Sequence, residues 1–239
     1  MEGRFDSRFS GEDQVRRNVQ IIGWTLIWSG IFIFGYLGWQ LYGTDLVNAR
    51  VQAEAMTTLE RRIASAGAPK VEEVEEEGVV VVERVLEDAP GEGVGFAMLR
   101  VPKVGLEAVV FEGVNTPTLA HGPGHMPGTP LPGQPGNAVI SGHRTTHGRP
   151  FHDFDQLVAG DRVEVETGIG THVYEVRESF IVAPTDVWVT DNRPGAWLTL
   201  TTCNPKYSAR ERLIVTAELV SGPNVDYVEH LDDPVVSPA

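Results

Sequence analysis

The stretch TLTTCNPKYSARERLIV, residues 199–215, holds one β-run that ends at Cys203 and a second that Arg212 opens. Thr, Leu, Ile and Val on either side of a short polar turn favour two extended segments. Strands joined by so short a connection lie side by side, which brings the cysteine and the arginine nine residues later to one end of a sheet. Upstream the same texture continues, with short β-rich segments divided by Gly and Pro. Candidate strands are Ala97 to Pro102, Leu106 to Glu112, Ala138 to Gly142, Arg162 to Glu166, His172 to Val176, Trp197 to Thr202 and Leu213 to Val220. DRVEVET and THVYEVRE alternate polar with apolar residues around Gly168-Ile169-Gly170, which reads as a hairpin with one buried face. Residues 116–136 are dense in Gly and Pro and read as loop. The pattern is that of an all-β sandwich or barrel, without an internal repeat.

Cys203 is the chain's single cysteine, which excludes an internal disulfide framework and any Cys-x-x-Cys motif. A lone cysteine is commonly a small buried apolar residue. Outside the cell an unpaired thiol is exposed to oxidation, and it persists where its chemistry is used. NAVISGHR, residues 137–144, puts His143 just past the end of another apolar strand. A thiol of ordinary pKa, about 8.5, needs a base or a nearby cation to become a nucleophile at neutral pH, and His143 suits that need. Attack on an amide builds negative charge on oxygen, which an arginine stabilises without losing its own proton. Arg212 suits that part, and the imidazolium can then protonate the departing amine.

TLTTC with an arginine nine residues on, and GHR after an apolar strand, resemble the signature of the sortases. VPKVGLEAVVFEGV, the loop GPGHMPGTPLPGQPGNAVISGHRTTHGRPF and the hairpin beginning LVAGDRVEVET resemble that family in order and spacing, over residues 97–220. The resemblance implies an all-β fold, an eight-stranded β-barrel with short helices and loops. It also implies Cys203 as nucleophile, His143 as acid-base partner and Arg212 at the oxyanion. It selects Arg212 over Arg210, which strand periodicity alone does not separate. The implied reaction is that of a cysteine transpeptidase. It cuts a Leu-Pro-x-Thr-Gly or Leu-Ala-x-Thr-Gly sorting signal of a surface protein between Thr and Gly. It holds the protein as a thioester and passes it to an amine of peptidoglycan precursor or of a pilin. The text around GPGHMPGTPLPGQPGN and TTCNP looks most like class E. No cofactor is implied.

From Asn18 to Thr44 no side chain is charged, and residues 21–42, IIGWTLIWSGIFIFGYLGWQLY, are long enough to cross a hydrocarbon core about 30 Å thick. A cleaved signal peptide would have a shorter apolar region ending at a small-x-small site. Arg16 and Arg17 before the run, with Asp45 the first charge after it, place the N-terminus in the cytoplasm. The expected organisation is a cytoplasmic N-terminus at 1–18, a transmembrane helix at 19–43, a stalk helix and acidic linker at 44–93, an extracellular barrel at 94–221 and a poorly ordered acidic tail at 222–239.

The formal charge of −14 and the lack of a basic stripe argue against nucleic acid as a partner. Residues 71–92 hold nine acidic residues against Arg84 alone; they read as a self-repelling linker in preference to an acidic strand laid on the domain, and a solvated spacer explains Glu72 to Glu77 better than a calcium site of undefined geometry. Two histidine pairs, His121 with His125 and His143 with His147, have the four-residue spacing of helical zinc ligands. HGPGH would not sustain a helix, and HRTTH lacks the glutamate of that pattern, so no metal is expected. His147, His152, His172 and His230 read as surface or loop residues. Two rivals to transpeptidation are a Cys-His hydrolase that releases the acyl group to water and a catalytically silent surface domain.

Overall fold

A computed structural model of the chain describes residues 9–39, 44–65, 70–76 and 80–231. The chain divides into two units, Met1–Thr44 and Asp45–Ala239. The first unit is helix α1, Phe9–Gly38, whose segment Asp13–Gly38 is long and apolar enough to cross a membrane. None of that segment is buried in protein, and Trp24, Phe32 and Phe34 are exposed. A helix apolar on all its faces needs a non-aqueous environment to cover it. The expected span of 19–43 runs past this helix, and residues 40–43 lie outside the described residues.

The second unit is built on a closed eight-stranded barrel. Its elements, in chain order, are α2 (Thr44–Ser65), β1 (Lys70–Glu76), β2 (Val80–Leu86), β3 (Gly95–Val101), β4 (Leu106–Glu112), α3 (Thr116–His121), β5 (Gly124–His125), β6 (Gly136–Ser141), β7 (Arg162–Thr167), β8 (Gly170–Val182), β9 (Ala196–Asn204), β10 (Glu211–Ser221) and α4 (Val225–Leu231). Around the barrel the order is β10-β8-β7-β3-β4-β5-β6-β9, with β9 also pairing β10. Period-2 alternation decides which side chains fill it: Val163 and Val165 from β7, Tyr174 and Val176 from β8, and Leu198 and Leu200 from β9 share one buried core with Leu99 and Ile140. The expected all-β barrel is what forms.

Three stretches differ from the sequence-based expectation. The helix after the apolar segment exists, but it lies against the barrel and is no free stalk. Leu59, 2% exposed, packs with Met98, Val109 and Phe111 on the outer face of β3 and β4, and Val51, Ala55, Met56 and Ile63 join them. These positions recur at three to four residues, which the mixed polar content of the helix hid. The acidic linker is instead a hairpin, β1 with β2, in register from Lys70↔Leu86 to Glu76↔Val80. Main-chain pairing of a valine-rich strand outweighs repulsion among charges that water screens. The buried Asn224 ties that hairpin to the barrel, accepting from Val85 N at 2.8 Å and donating to Val85 O at 3.0 Å and Gly133 O at 2.9 Å. The start of the expected disordered tail is α4, where Tyr227 and Val228 are buried. Residues 232–239 lie outside the described residues.

Candidate active site

Strands β6 and β9 run parallel, in register from Gly136↔Ala196 to Ser141↔Thr201. Beyond that ladder the two chains stay joined: Gly142 N donates to Thr201 O at 3.1 Å, and Thr202 Oγ1 donates to Gly142 O at 2.7 Å. The next residue on each chain is His143 and Cys203. On its other side β9 pairs antiparallel with β10, and there Cys203 stands opposite Arg212. Side chains directly opposite in such a pair have Cβ atoms about 5 Å apart and share a face. The three strand ends therefore meet at one rim, with the cysteine strand in the middle.

Leu198, Leu200 and Thr202 are buried while Cys203 is half-buried, so alternation turns the thiol away from the core and toward the outer face of the barrel. Gly142 is required by packing, because a Cβ there would stand 2.7 Å from the ring of Phe151. The segment after it is a closed loop: Phe151 N donates to His143 O at 3.1 Å, and Arg149 N to Thr146 O at 3.0 Å. Within the loop the His147 ring stacks on His143, with centroids 4.7 Å apart and planes 26° apart. Burial, and then the charge on His147, push the pKa of His143 below its usual range. Nε2 of His143 and Nδ1 of His147 are both buried without a hydrogen-bond partner. Orphaned buried nitrogens are costly in a finished core.

Arg212 is half-buried, and its Nη1 donates to Ala209 O and Glu211 O, both at 2.9 Å, which anchors the guanidinium to its own turn. Arg210 is exposed and precedes the strand, so it shares no ladder position with the cysteine. A second guanidinium, that of Arg144, binds these strand ends together, although its spacing assigns it no role. Arg144, 4% exposed, donates through Nη1 to Asn204 Oδ1 at 2.6 Å and Cys203 O at 3.2 Å. Its Nη2 lies 3.0 Å from Asp155 Oδ1. It thus ties the residue after His143 to the end of the cysteine strand. The only signal for it in the sequence is its place within GHR.

The outer face of β9 leads from Cys203 through Thr201 and Thr199 to Trp197. There a cavity of about 250 Å³ is lined by Phe180, Trp188, Val189, Arg193, Trp197 and Thr216, among others. Asn137 Nδ2 holds residues 187–192 over this face by donating to Val189 O and Asp191 O, both at 3.0 Å. The rings of Phe180 and Trp188 stack, and the Arg193 guanidinium sits 3.7 Å over Trp197. Of the histidines read as peripheral, His172 is fully buried in the barrel. His125, of the first pair considered for zinc, has Nδ1 2.7 Å from Glu112 Oε2 and Nε2 3.0 Å from both Pro130 O and Thr129 Oγ1.

The Sortase domain family model matches residues 99–220, half of the chain. The chain belongs to the sortase family. Sortase SrtE1 of Streptomyces coelicolor is 34% identical over 144 residues, which cover 54% of this chain and 41% of that protein. Sortase D of Bacillus subtilis is 27% identical over 187 residues, 78% of this chain and 89% of that one. This chain thus matches less than half of the first relative and most of the second. Among solved structures, sortase E from Streptomyces avermitilis is 38% identical with a TM-score of 0.52, covering 55% of this chain and 91% of that chain. A Clostridium perfringens sortase D5, at 23% identity, a TM-score of 0.57 and 72% of this chain against 99% of its own, shares the fold.

Proposed function

We propose that this sortase is a membrane-anchored cysteine transpeptidase that works with Cys203, His143 and Arg212. The observation that carries the reading is the cross-strand pair of Cys203 with Arg212, beside the strand end that delivers His143. The neutral His143 imidazole, its pKa lowered by burial, takes the proton of the Cys203 thiol, and the sulfur attacks the Thr carbonyl of a sorting signal. Arg212 stabilises the oxyanion that forms, and the His143 imidazolium gives its proton to the departing Gly amine as the C–N bond breaks. The acyl group is left on sulfur as a thioester. An incoming amine attacks that carbonyl, loses its proton to His143 and leaves with the acyl group, which frees the thiolate.

The sorting signal lies extended along the outer face of β9. Cys203 and Trp197 lie six residue steps apart, about 20 Å of strand, which is the reach of a short extended peptide. Apolar residues upstream of the cleaved bond enter the cavity between Trp188 and Trp197. The resemblance to class E sortases points to a Leu-Ala-x-Thr-Gly or Leu-Pro-x-Thr-Gly signal as the substrate class, carried by surface proteins. The acceptor amine belongs to peptidoglycan precursor or to a pilin. The apolar α1 anchors the enzyme, and Arg16 and Arg17 keep its N-terminus in the cytoplasm, with the barrel outside.

The test mixes the full chain, in detergent micelles, with Leu-Ala-x-Thr-Gly and Leu-Pro-x-Thr-Gly peptides, with and without a glycine-based amine, and reads the products by mass spectrometry. Amine-linked peptide is expected from the wild type and none from Cys203→Ala. Free acid alone, with amine in excess, identifies a hydrolase, and no cleavage identifies a silent domain.

A further inference from the structure

We propose that the first turns of α2, through Asp45 and Asn48, hold the His143 loop in its working position, which makes α2 a positioning element of the active site. The inference rests on the reading of His143 as the acid-base residue.

The loop that carries His143 is held in an unfavourable backbone conformation. His147, Gly148 and Arg149 have φ of 53°, 76° and 52°, three consecutive residues in the left-handed region. Two of them carry side chains that rarely adopt it, and such a conformation persists only where its surroundings fix it. The fixing group is the Asp45 carboxylate: Oδ1 accepts from Gly148 N at 3.0 Å, and Oδ2 lies 3.2 Å from Arg149 Nη2. Both bonds carry charge on at least one partner, the stronger class of hydrogen bond.

Asn48, one helical turn on, is buried and presses on the same turn. A Cβ on Gly148 would stand 2.4 Å from Asn48 Oδ1, so position 148 needs glycine for both its φ and its neighbour. Asn48 Nδ2 donates to Ala120 O at 2.9 Å and His121 O at 3.0 Å, and Gln52 Nε2 donates to His121 O at 2.7 Å. These bonds satisfy carbonyls at the end of α3 and fix α2 along its axis. Asp45, Asn48, Gln52, Met56, Leu59 and Ile63 form one helical face, polar where it meets the loops and apolar where it meets the barrel. From Asp45 the contacts run through Gly148 and Arg149 to His147, whose ring is stacked on His143.

Asp45 touches no reacting atom, so its removal is expected to disturb the placement of His143 and leave peptide binding alone. The experiment compares the full-length wild type with Asp45→Ala and Asp45→Asn in micelles, measuring kcat and KM for transfer, thermal unfolding and amide exchange at Gly148. Asp45→Ala is expected to lower kcat about tenfold, to leave KM within about twofold, to lower Tm by about 2–6 °C, and to speed Gly148 exchange. Asp45→Asn keeps an oxygen for Gly148 N and recovers most of the rate. A kcat within twofold of wild type for Asp45→Ala overturns the inference, as does a loss of kcat that Asp45→Asn shares in full or that comes with a collapse in Tm. His143→Ala, run alongside, keeps the two readings apart: turnover retained there refutes the role of His143, whereas turnover abolished there and unchanged in Asp45→Ala refutes only the role of α2.

Discussion

Replacing Arg144 with methionine removes a buried cation at the point where the histidine loop meets the cysteine strand, while keeping an unbranched apolar stem. The side chain is 3% exposed, and its hydrogen bonds run to Asn204 Oδ1 at 2.6 Å, Cys203 O at 3.2 Å and His152 O at 3.4 Å, with the Asp155 carboxylate 3.0 Å away. Hydrogen bonds that involve a charged group contribute about 1.5–3 kcal/mol each, and those sharing one guanidinium do not add. Asp155 is 47% exposed and regains water when its partner leaves, which offsets part of the loss. A destabilisation of about 3 kcal/mol follows, nearer the lower than the upper bound for breaking a buried pair. At about 2–4 °C per kcal/mol for a domain of this size, Tm falls by about 6–12 °C. Catalysis suffers more than folding, because a shift of about 1 Å between reacting groups costs on the order of a hundredfold in rate. Thermal unfolding followed by circular dichroism and the peptide-transfer assay measure the two effects on one preparation. A Tm within 2 °C of wild type together with turnover within twofold would refute the claim that Arg144 joins the two halves of the site.

Three further outcomes are expected. Arg212→Ala abolishes transfer, by on the order of a hundredfold or more, while Arg210→Ala leaves it within about twofold; equal losses in initial-rate measurements would contradict the assignment. Burial lowers the pKa of His172 from 6.5 to about 4, so the unfolded chain takes up the proton first as pH falls. The stability this ring preserves is therefore complete above pH 6.5 and lost between 6.5 and about 4, by about 3 kcal/mol. Denaturant melts across that window are expected to converge when wild type is compared with His172→Gln, and parallel curves would exclude the effect. Leu59→Ala empties the contact between α2 and the outer face of β3 and β4 at a cost of about 2–3 kcal/mol, read as a Tm lower by about 4–12 °C, and a shift under 2 °C would mean that the helix is not docked.

The barrel was legible because its strands obey period-2 alternation, as in RVEVET, where Val163, Val165 and Thr167 point inward. The three strand ends were legible from short-range spacing, since Cys203 and Arg212 flank one turn and His143 ends an apolar run. What escaped were features decided by distant contacts. Nothing near Asp45 in the sequence says that it meets Gly148, 103 residues away. The run of glutamates after Lys70 looked like a repelling spacer because charge was weighed against charge, whereas main-chain pairing with Val80–Leu86 and the bond of Val85 to Asn224 decide its state. His172 sits inside the barrel because strand register places it opposite the inward-facing Val165, and single-residue polarity points the other way.

In the proposed reaction the sulfur of Cys203 carries the acyl group. Intact-mass spectrometry of the full chain, quenched after mixing with sorting-signal peptide in the absence of amine, measures it. A mass increase equal to the peptide through its Thr is expected, mapped to Cys203, released by hydroxylamine and absent from Cys203→Ala. Peptide cleavage that persists in Cys203→Ala, or an adduct mapped to any other residue, would contradict it.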